Sequence, residues 1–448
     1  MRDSPDASGA TPEHTDLTEE ERETQLEETE DAVFGGDVPY RPGSARAALA
    51  HRGFRLVWAG SFASNIGTWM QNIALGVFGY ELTHSAFYVA LLGFAQLGPL
   101  LLLSIFSGVL ADSVDRKVLL IVAQAEQMVM SFALAWFARG PHPSQTAVFL
   151  CVLAIGVGSA LNGPVFSAVL PILVTRRDLP GAVSLQSAQL NLSRVIGPAI
   201  GGLLLPVVHA PGVFAINAVT YLFAIFTIVP VDIPRPYPDV GERGLRRLAA
   251  GFVAARADPL VRRCLLTMAT MSLFSLPFVG LMPVIAAERL HMNPSGVAFG
   301  ILYACFGLGA ACGAVSIGTI FVTANRARVC RISLALFAVA LAAFGRINSA
   351  APGFPVAFFV GLFYFATVTA LSTYLQENLS DTVRGRVMAL WIMAFGGTVP
   401  LGVLAGGWLA RRTTIGTVLL VGAAVAALLA LFTRVGRPEP GPAPTSGD

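Results

Sequence analysis

The chain has 448 residues, of which 54% are hydrophobic and 13% charged, against about 25% charged in ordinary soluble domains. That balance over this length excludes a soluble fold, and a bilayer is its natural solvent. The net charge of +3 hides an asymmetry: thirteen acidic side chains precede residue 41 beside only Arg2 and Arg22, and the other 408 residues carry 28 basic and 14 acidic groups. Those basic residues are spread over many short loops and build no single face, so the chain does not read as a nucleic-acid binder.

In chain order, residues 1–50 read as a disordered acidic tail, rich in Ser, Pro, Thr, Glu and Gly and nearly free of aromatics. The tail lacks the basic and apolar regions of a signal peptide. Twelve apolar runs of about 20 residues, each long enough to cross a bilayer as a helix, follow it. Six lie near 56–80, 86–111, 118–138, 146–170, 182–206 and 212–231. Six more lie near 263–287, 296–321, 329–347, 353–376, 387–410 and 415–433. The expected architecture is all-α and membrane-integral, with a six-helix half over 51–231, a hydrophilic linker over 232–262, a second half over 263–434 and a short tail over 435–448. Within the linker, Glu242–Arg256 places Leu245, Leu248, Ala249 and Phe252 at helical spacing. It reads either as an amphipathic helix on the inner leaflet or as a solvated connecting helix. The cysteines at 151, 264, 305, 312 and 330 sit in or beside apolar runs without CxxC spacing, as packing residues do; no metal site is expected.

Loop arginines set the orientation. With the N-terminus inside, 22 Arg and Lys residues fall on the cytoplasmic side and five (Arg139, Arg289, Arg346, Arg411 and Arg412) on the other. Both termini are therefore expected in the cytoplasm of a cell-membrane protein. The halves also repeat. A shift of 205 residues lays Leu185, Gly197, Gly201 and Gly202 onto Leu390, Gly402, Gly406 and Gly407, the small-xxx-small spacing that lets helices approach closely. Gly309 and Gly313 in span eight follow the same spacing.

Charge is concentrated in GVLADSVDRK (Gly108–Lys117) between spans two and three. Asp115 precedes span three and can cap it. Arg116 and Lys117 obey the positive-inside rule. Asp112 stands at the C-terminal end of span two, where the helix dipole disfavours an anion, so it needs a partner from outside its own helix. The pattern formed by Gly108, Leu110, Ala111, Asp112, Asp115, Arg116 and Lys117 resembles the loop 2–3 signature of the major facilitator superfamily. The resemblance implies twelve spans in two halves, with the aspartate and arginine as a cytoplasmic gate that bridges to the second half when the protein opens outward. A worn copy, GTIFVTANRAR (Gly318–Arg328), carries Val322 in place of the first aspartate, so gating should be asymmetric. Leu170–Leu205, Gly251–Leu266 and RGRVMALW (Arg384–Trp391) are similar to the branch of enterobactin exporters and transmembrane secretion effectors, over roughly residues 50–433. GPAIGG (Gly197–Gly202) also resembles the span-five motif of drug–proton antiporters, with an incomplete glycine ladder that leaves antiport open.

Ionisable groups inside a membrane are functional candidates by default. At about 1.5 Å per residue, Glu126 lies roughly 12 Å into span three and Arg194 roughly 18 Å into span five. Arg194 keeps its proton and should meet an anion, either Glu126 or a substrate. Glu126 is that partner, a structural pair with it, or the titrating group of a proton-coupled cycle. Glu81, Glu288 and Glu377 read as interfacial. Asn65, Thr68 and Asn72 fall on one face of span one and should line a cavity; Asn162, Tyr364 and Thr367 are further cavity candidates. Met271, Phe274 and Phe278 read as packing or as an apolar cavity wall.

The chain contains no nucleotide-binding loop of GxxxxGK[ST] type and no nucleophile, paired-carboxylate or metal-spaced cluster. An enzyme is not expected, nor a cofactor. The leading expectation is proton-coupled efflux of a small amphipathic molecule, a siderophore or drug-like metabolite, by alternating access. Small-molecule substrate, protons and lipid are the expected partners, with no obligate protein partner evident. Uptake by symport and a non-transporting membrane sensor or partner-recruiting protein remain the alternatives.

Overall fold

The computed structural model describes residues 40–113, 115–234, 253, 255–321 and 324–432; within its helices the side chains at 101–102, 104–113, 164, 381–382, 385 and 389 fall outside the description. The described part is helical throughout, with no strand. A short helix α1 (Ala45–Ala50) leads into α2 (Arg52–Thr83), α3 (Ala86–Ser113), α4 (Arg116–Ala138), α5 (Gln145–Val169) and a fifty-residue α6 (Leu179–Ile228). The second set is α7 (Pro259–Phe274), α8 (Pro277–Gly280), α9 (Met282–Glu288), α10 (Val297–Thr319), α11 (Arg326–Arg346), α12 (Ala350–Glu377), α13 (Asp381–Ile392), α14 (Thr398–Arg412) and α15 (Ile415–Phe432). Every expected apolar run falls on helix. Among the described residues, nine helices are long and apolar enough to cross a membrane, and the fifty-residue α6 is one of them.

Several boundaries differ from the expectation for local reasons. Runs five and six are the two legs of α6, bent where His209 takes φ 55° and ψ 175° between Pro206 and Pro211. Positive φ is rare for a side-chain-bearing residue, and proline removes the donor a continuous helix needs. Run seven breaks into α7, α8 and α9, and Pro277 and Pro283 each stand in the first turn of a new piece. Run eleven contains a π-helical turn at Met393–Gly397 between α13 and α14, a distortion that frequents functional sites. The amphipathic stretch 242–256 lies almost wholly outside the described residues.

Caps follow the expected chemistry. Asp115 accepts from the amides of Lys117 (3.0 Å) and Val118 (3.3 Å) to start α4. Asn325, its counterpart in the second half, accepts from the Arg328 amide (3.1 Å) to start α11. Asp178 does not cap α6; it pins the segment ahead of α2 instead. Its carboxylate takes the Gly43 amide (3.0 Å) and the Thr175 hydroxyl (3.1 Å), and it meets His51 Nε2 at 2.8 Å. Burial pushes that carboxyl up, but the bonds from His51, Gly43 and Thr175 outweigh it and hold the group below the usual carboxylate range.

The two halves meet chiefly along two helix pairs, α3 with α14 and α6 with α10. The repeated glycines define these contacts symmetrically. A Cβ added at Gly197 would stand 2.7 Å from Ile66 O, and one at Gly201 3.1 Å from Met70 O, both against α2 of the same half. Gly402 and Gly406 face Leu273 and Pro277 of α7 and α8 in the same way. The third glycine of each set turns to the other half: Gly202 abuts Gly300 of α10, and Gly407 abuts Ala90 and Phe87 of α3. Removing the side chain at each position permits backbone-level approach where apolar burial gives helices no drive to associate.

Candidate functional site

Between the halves lies a cavity of about 1680 Å³. One end is shut. Gly202 meets Gly300 there, Gly76 packs on Pro283, the Ser295 hydroxyl bonds the Glu81 carboxylate and Tyr80 stands beside Glu288. Glu81 and Glu288 thus sit on the seam between the halves. At the other end the lining reaches Ser167 near the close of α5, Gln186 in the opening turns of α6 and Arg386 in α13.

The polar face of α2 lines the cavity with Asn65, Thr68 and Asn72. Asn65 Nδ2 donates to Ser61 O (2.9 Å), and the Thr68 hydroxyl bonds both Ser64 O (2.8 Å) and the Tyr221 hydroxyl (2.9 Å). Behind them Asn217 Nδ2 donates to Gln71 Oε1 (2.9 Å), which ties α2 to the second leg of α6. Asn162, Tyr364 and Arg194 also line the cavity. The Arg194 guanidinium lies 5.7 Å from the centre of the Trp69 ring, a cation–π distance.

One expectation, that Thr367 lines the cavity, needs correction, and two open alternatives are decided. Arg194 forms no ion pair with Glu126: Arg194 lines the cavity, whereas Glu126 lies behind the wall in α4, its Oε2 buried against Gly158 of α5 without a hydrogen-bond partner among the described residues. Thr367 does not line the cavity. It is fully buried and spends its hydroxyl on Phe363 O (2.8 Å) and Ser333 Oγ (3.0 Å), a contact between α12 and α11. Thr367→Val should therefore lower thermal stability modestly, by about 1 kcal/mol, and leave transport unchanged; a loss of transport with normal melting would return this residue to the site. The apolar wall is not built from Met271, Phe274 and Phe278 either. Met271 and Phe278 are buried, Phe274 points outward at 45% exposure, and Leu276, Val279 and Gly280 line the cavity in their place.

Of the charged loop, the surroundings of Gly108 and the side chain of Asp112 lie outside the described residues. Arg116 donates to Ala168 O at the end of α5 (3.4 Å), and Lys117 contributes its amide to the Asp115 cap. In the second half Arg326 repeats the arginine's position. It donates to Phe321 O (2.7 Å) and pairs with Glu377 at the end of α12 (3.4 Å).

Sequence reasoning missed Trp69, Gln96, Gln189, Tyr303 and Arg386, all of which line the cavity. Gln96 and Gln189 could have been found by applying to α3 and α6 the rule used for α2, that polar groups in a span seek a cavity.

Comparison with known proteins agrees with this architecture. The staphyloferrin A transporter of Staphylococcus aureus (strain NCTC 8325 / PS 47) is 27% identical over 354 residues, 78% of this chain and 87% of that protein. The enterobactin exporter EntS of Escherichia coli O139:H28 is 28% identical over 346 residues, 76% and 81% of the two chains. Among solved structures, an auto-inhibited POT family peptide transporter superposes with a TM-score of 0.68 at 14% identity, covering 85% of this chain and 95% of that one. A bacterial homologue of the iron transporter ferroportin in its inward-facing state gives 0.67 at 15% identity, covering 86% and 99%. At such identities these structures bear on the fold alone, which is that of the major facilitator superfamily. The profile of the transmembrane secretion effector family matches residues 43–439, and the chain belongs to that family of membrane transporters.

Proposed function

We propose that the chain is a secondary active transporter of twelve membrane helices that exports a small amphipathic molecule, a siderophore or drug-like metabolite, by alternating access coupled to inward proton flow. One observation carries this reading: a cavity between two related halves, shut at one end by seam contacts and extending at the other toward Arg386. The arginine-rich loops belong to the extended end, so by the positive-inside rule that end faces the cytoplasm, both termini with it. The conformation is then inward-facing, ready to load substrate from the cell. The staphyloferrin A transporter and the enterobactin exporter among the relatives support a siderophore, and the second of them supports export. Asp112, Asp115, Arg116 and Lys117, with Gly108, form the cytoplasmic gate in this reading, and Asp112 bridges to the second half in the outward-facing state.

Export and uptake separate in oriented vesicles. Inverted membrane vesicles energised with a proton gradient should accumulate labelled staphyloferrin A or enterobactin, right-side-out vesicles should not, and collapsing the gradient should abolish the signal. Asp112→Asn should insert normally and cut accumulation at least about tenfold, the loss of roughly 1.4 kcal/mol of gate energy. Accumulation only in right-side-out vesicles would establish uptake, and normal transport by the Asp112→Asn protein would remove the gate.

A further inference from the structure

Among the described residues, the cavity wall holds two permanent charges, Arg194 at depth and Arg386 toward the extended end, and no aspartate, glutamate, lysine or histidine. A guanidinium stays charged in any protein environment, and positive charge without a partner at membrane depth is costly. Arg194 forms no hydrogen bond or ion pair with another described residue; the Trp69 ring lies beside it, and Tyr364 of the other half lines the same cavity. Three amide oxygens, Asn72 Oδ1, Gln96 Oε1 and Gln189 Oε1, are buried without a hydrogen-bond partner among the described residues, and all three residues line the same cavity. Gln96 is 6% exposed and Gln189 1%. Buried acceptors in that state want donors. The facing wall belongs to the second half and is aromatic: Tyr303 and Phe306 stand with centroids 6.3 Å apart, and Phe306 stacks on Tyr364 at 6.4 Å and 14°.

We infer that this cavity selects amphipathic organic anions. An acidic group seats on Arg194, hydroxyl or amide donors of the same molecule bond Asn72, Gln96 and Gln189, and its apolar flank lies on Tyr303 and Phe306. Arg386 raises the local concentration of anions on the entry path. The same two charges exclude organic cations, so the cavity takes polyhydroxy or amide-bearing acids and turns away cationic drugs. This rests on the cavity being the transport path proposed above. The deciding experiment reads binding alone, so its failure and a failure of transport are separate outcomes.

The probes share one apolar body and differ in head charge: 1-pyrenebutyrate, 1-pyrenebutanol and 1-pyrenebutylamine. Each is titrated by fluorescence against the purified full chain in nanodiscs of zwitterionic lipid, with protein-free discs subtracted. The carboxylate should bind at least about tenfold tighter than the alcohol, and the amine more weakly than either. Arg194→Gln should bring the carboxylate down to the alcohol's affinity while the alcohol itself stays within about twofold, which reports an intact cavity. Arg194→Lys should keep part of the preference, since an ammonium retains the charge without the planar fork. Equal binding of the three heads by the unmodified protein, or a preference for the amine, overturns the inference, as does an Arg194→Gln protein that still favours the carboxylate. Where that variant loses the alcohol too, the ranking in the unmodified protein decides alone.

Discussion

Replacing Gly202 with valine should lower net transport at least about tenfold while leaving the amount of folded protein in the membrane nearly unchanged. Gly202 of α6 and Gly300 of α10 face each other across the seam at the shut end, and a Cβ on Gly300 would stand 2.7 Å from Gly202 Cα. No flexible side-chain end is there to yield; the neighbouring atoms are backbone. Overpacking of this kind costs about 1–3 kcal/mol, and it falls only on the state in which the seam is closed. A differential cost of that size shifts a two-state equilibrium roughly 5- to 150-fold, so the inward-facing state is depopulated and the cycle stalls with the opposite end open. The readout is sidedness. A single cysteine at position 65, in a background without the five native cysteines, should label with an impermeant maleimide from the Arg386 side in the parent and from the other side in the Gly202→Val variant. Gly300→Val should behave alike. Gly318→Ala, in the same helix as Gly300 and with open space around a new Cβ, should be silent. If Gly202→Val transports and labels like the parent, the seam is not a moving contact.

The sequence predicted these contacts unevenly, and the reasons are physical. The 205-residue repeat identified Gly197, Gly201, Gly202 and their three counterparts as packing positions, because a small residue recurring at four-residue spacing marks one helix face. Which glycine faces its own half and which crosses to the other depends on helix rotation, which composition does not encode. The α2 stripe was legible because three polar residues at i, i+3 and i+7 share a face. Thr367 misled because a lone hydroxyl in a span is satisfied by the carbonyl four residues back, and it then marks no cavity at all. Arg386 was hidden in the opposite way: a cation near a span end obeys the positive-inside rule, so its place in the cavity wall added no signal of its own. Hydropathy also passes over prolines, and the break of run seven at Pro277 and Pro283 therefore needed the backbone to be seen.

Neutralising Glu126 should uncouple transport from the proton gradient. The cavity wall has no carboxylate among the described residues, so in the proton-coupled cycle proposed above Glu126 is the candidate to bind and release protons from behind it. Glu126 is placed for this. It stands in α4 against Gly158 of α5, with Oε2 buried and unpartnered among the described residues, and α4 packs on α6. The Tyr221 hydroxyl bonds Thr68, which lines the cavity. Helix α6 thus joins the helix that carries the carboxyl to the cavity wall. An ionised carboxyl without a partner at such a site costs several kcal/mol, so a change in wall packing that alters its surroundings also alters its hold on a proton; substrate in the cavity acts on the same wall. Glu126→Gln keeps the shape and removes the exchangeable charge. Gradient-driven accumulation in inverted vesicles should fall at least about tenfold, whereas exchange of labelled for unlabelled substrate without a gradient, which needs the wall but no net proton movement, should stay within about twofold. Equal loss of both would make Glu126 a structural residue. Retention of both would place the coupling group elsewhere and leave Arg194 and the anion itself as the charges that move through the cycle.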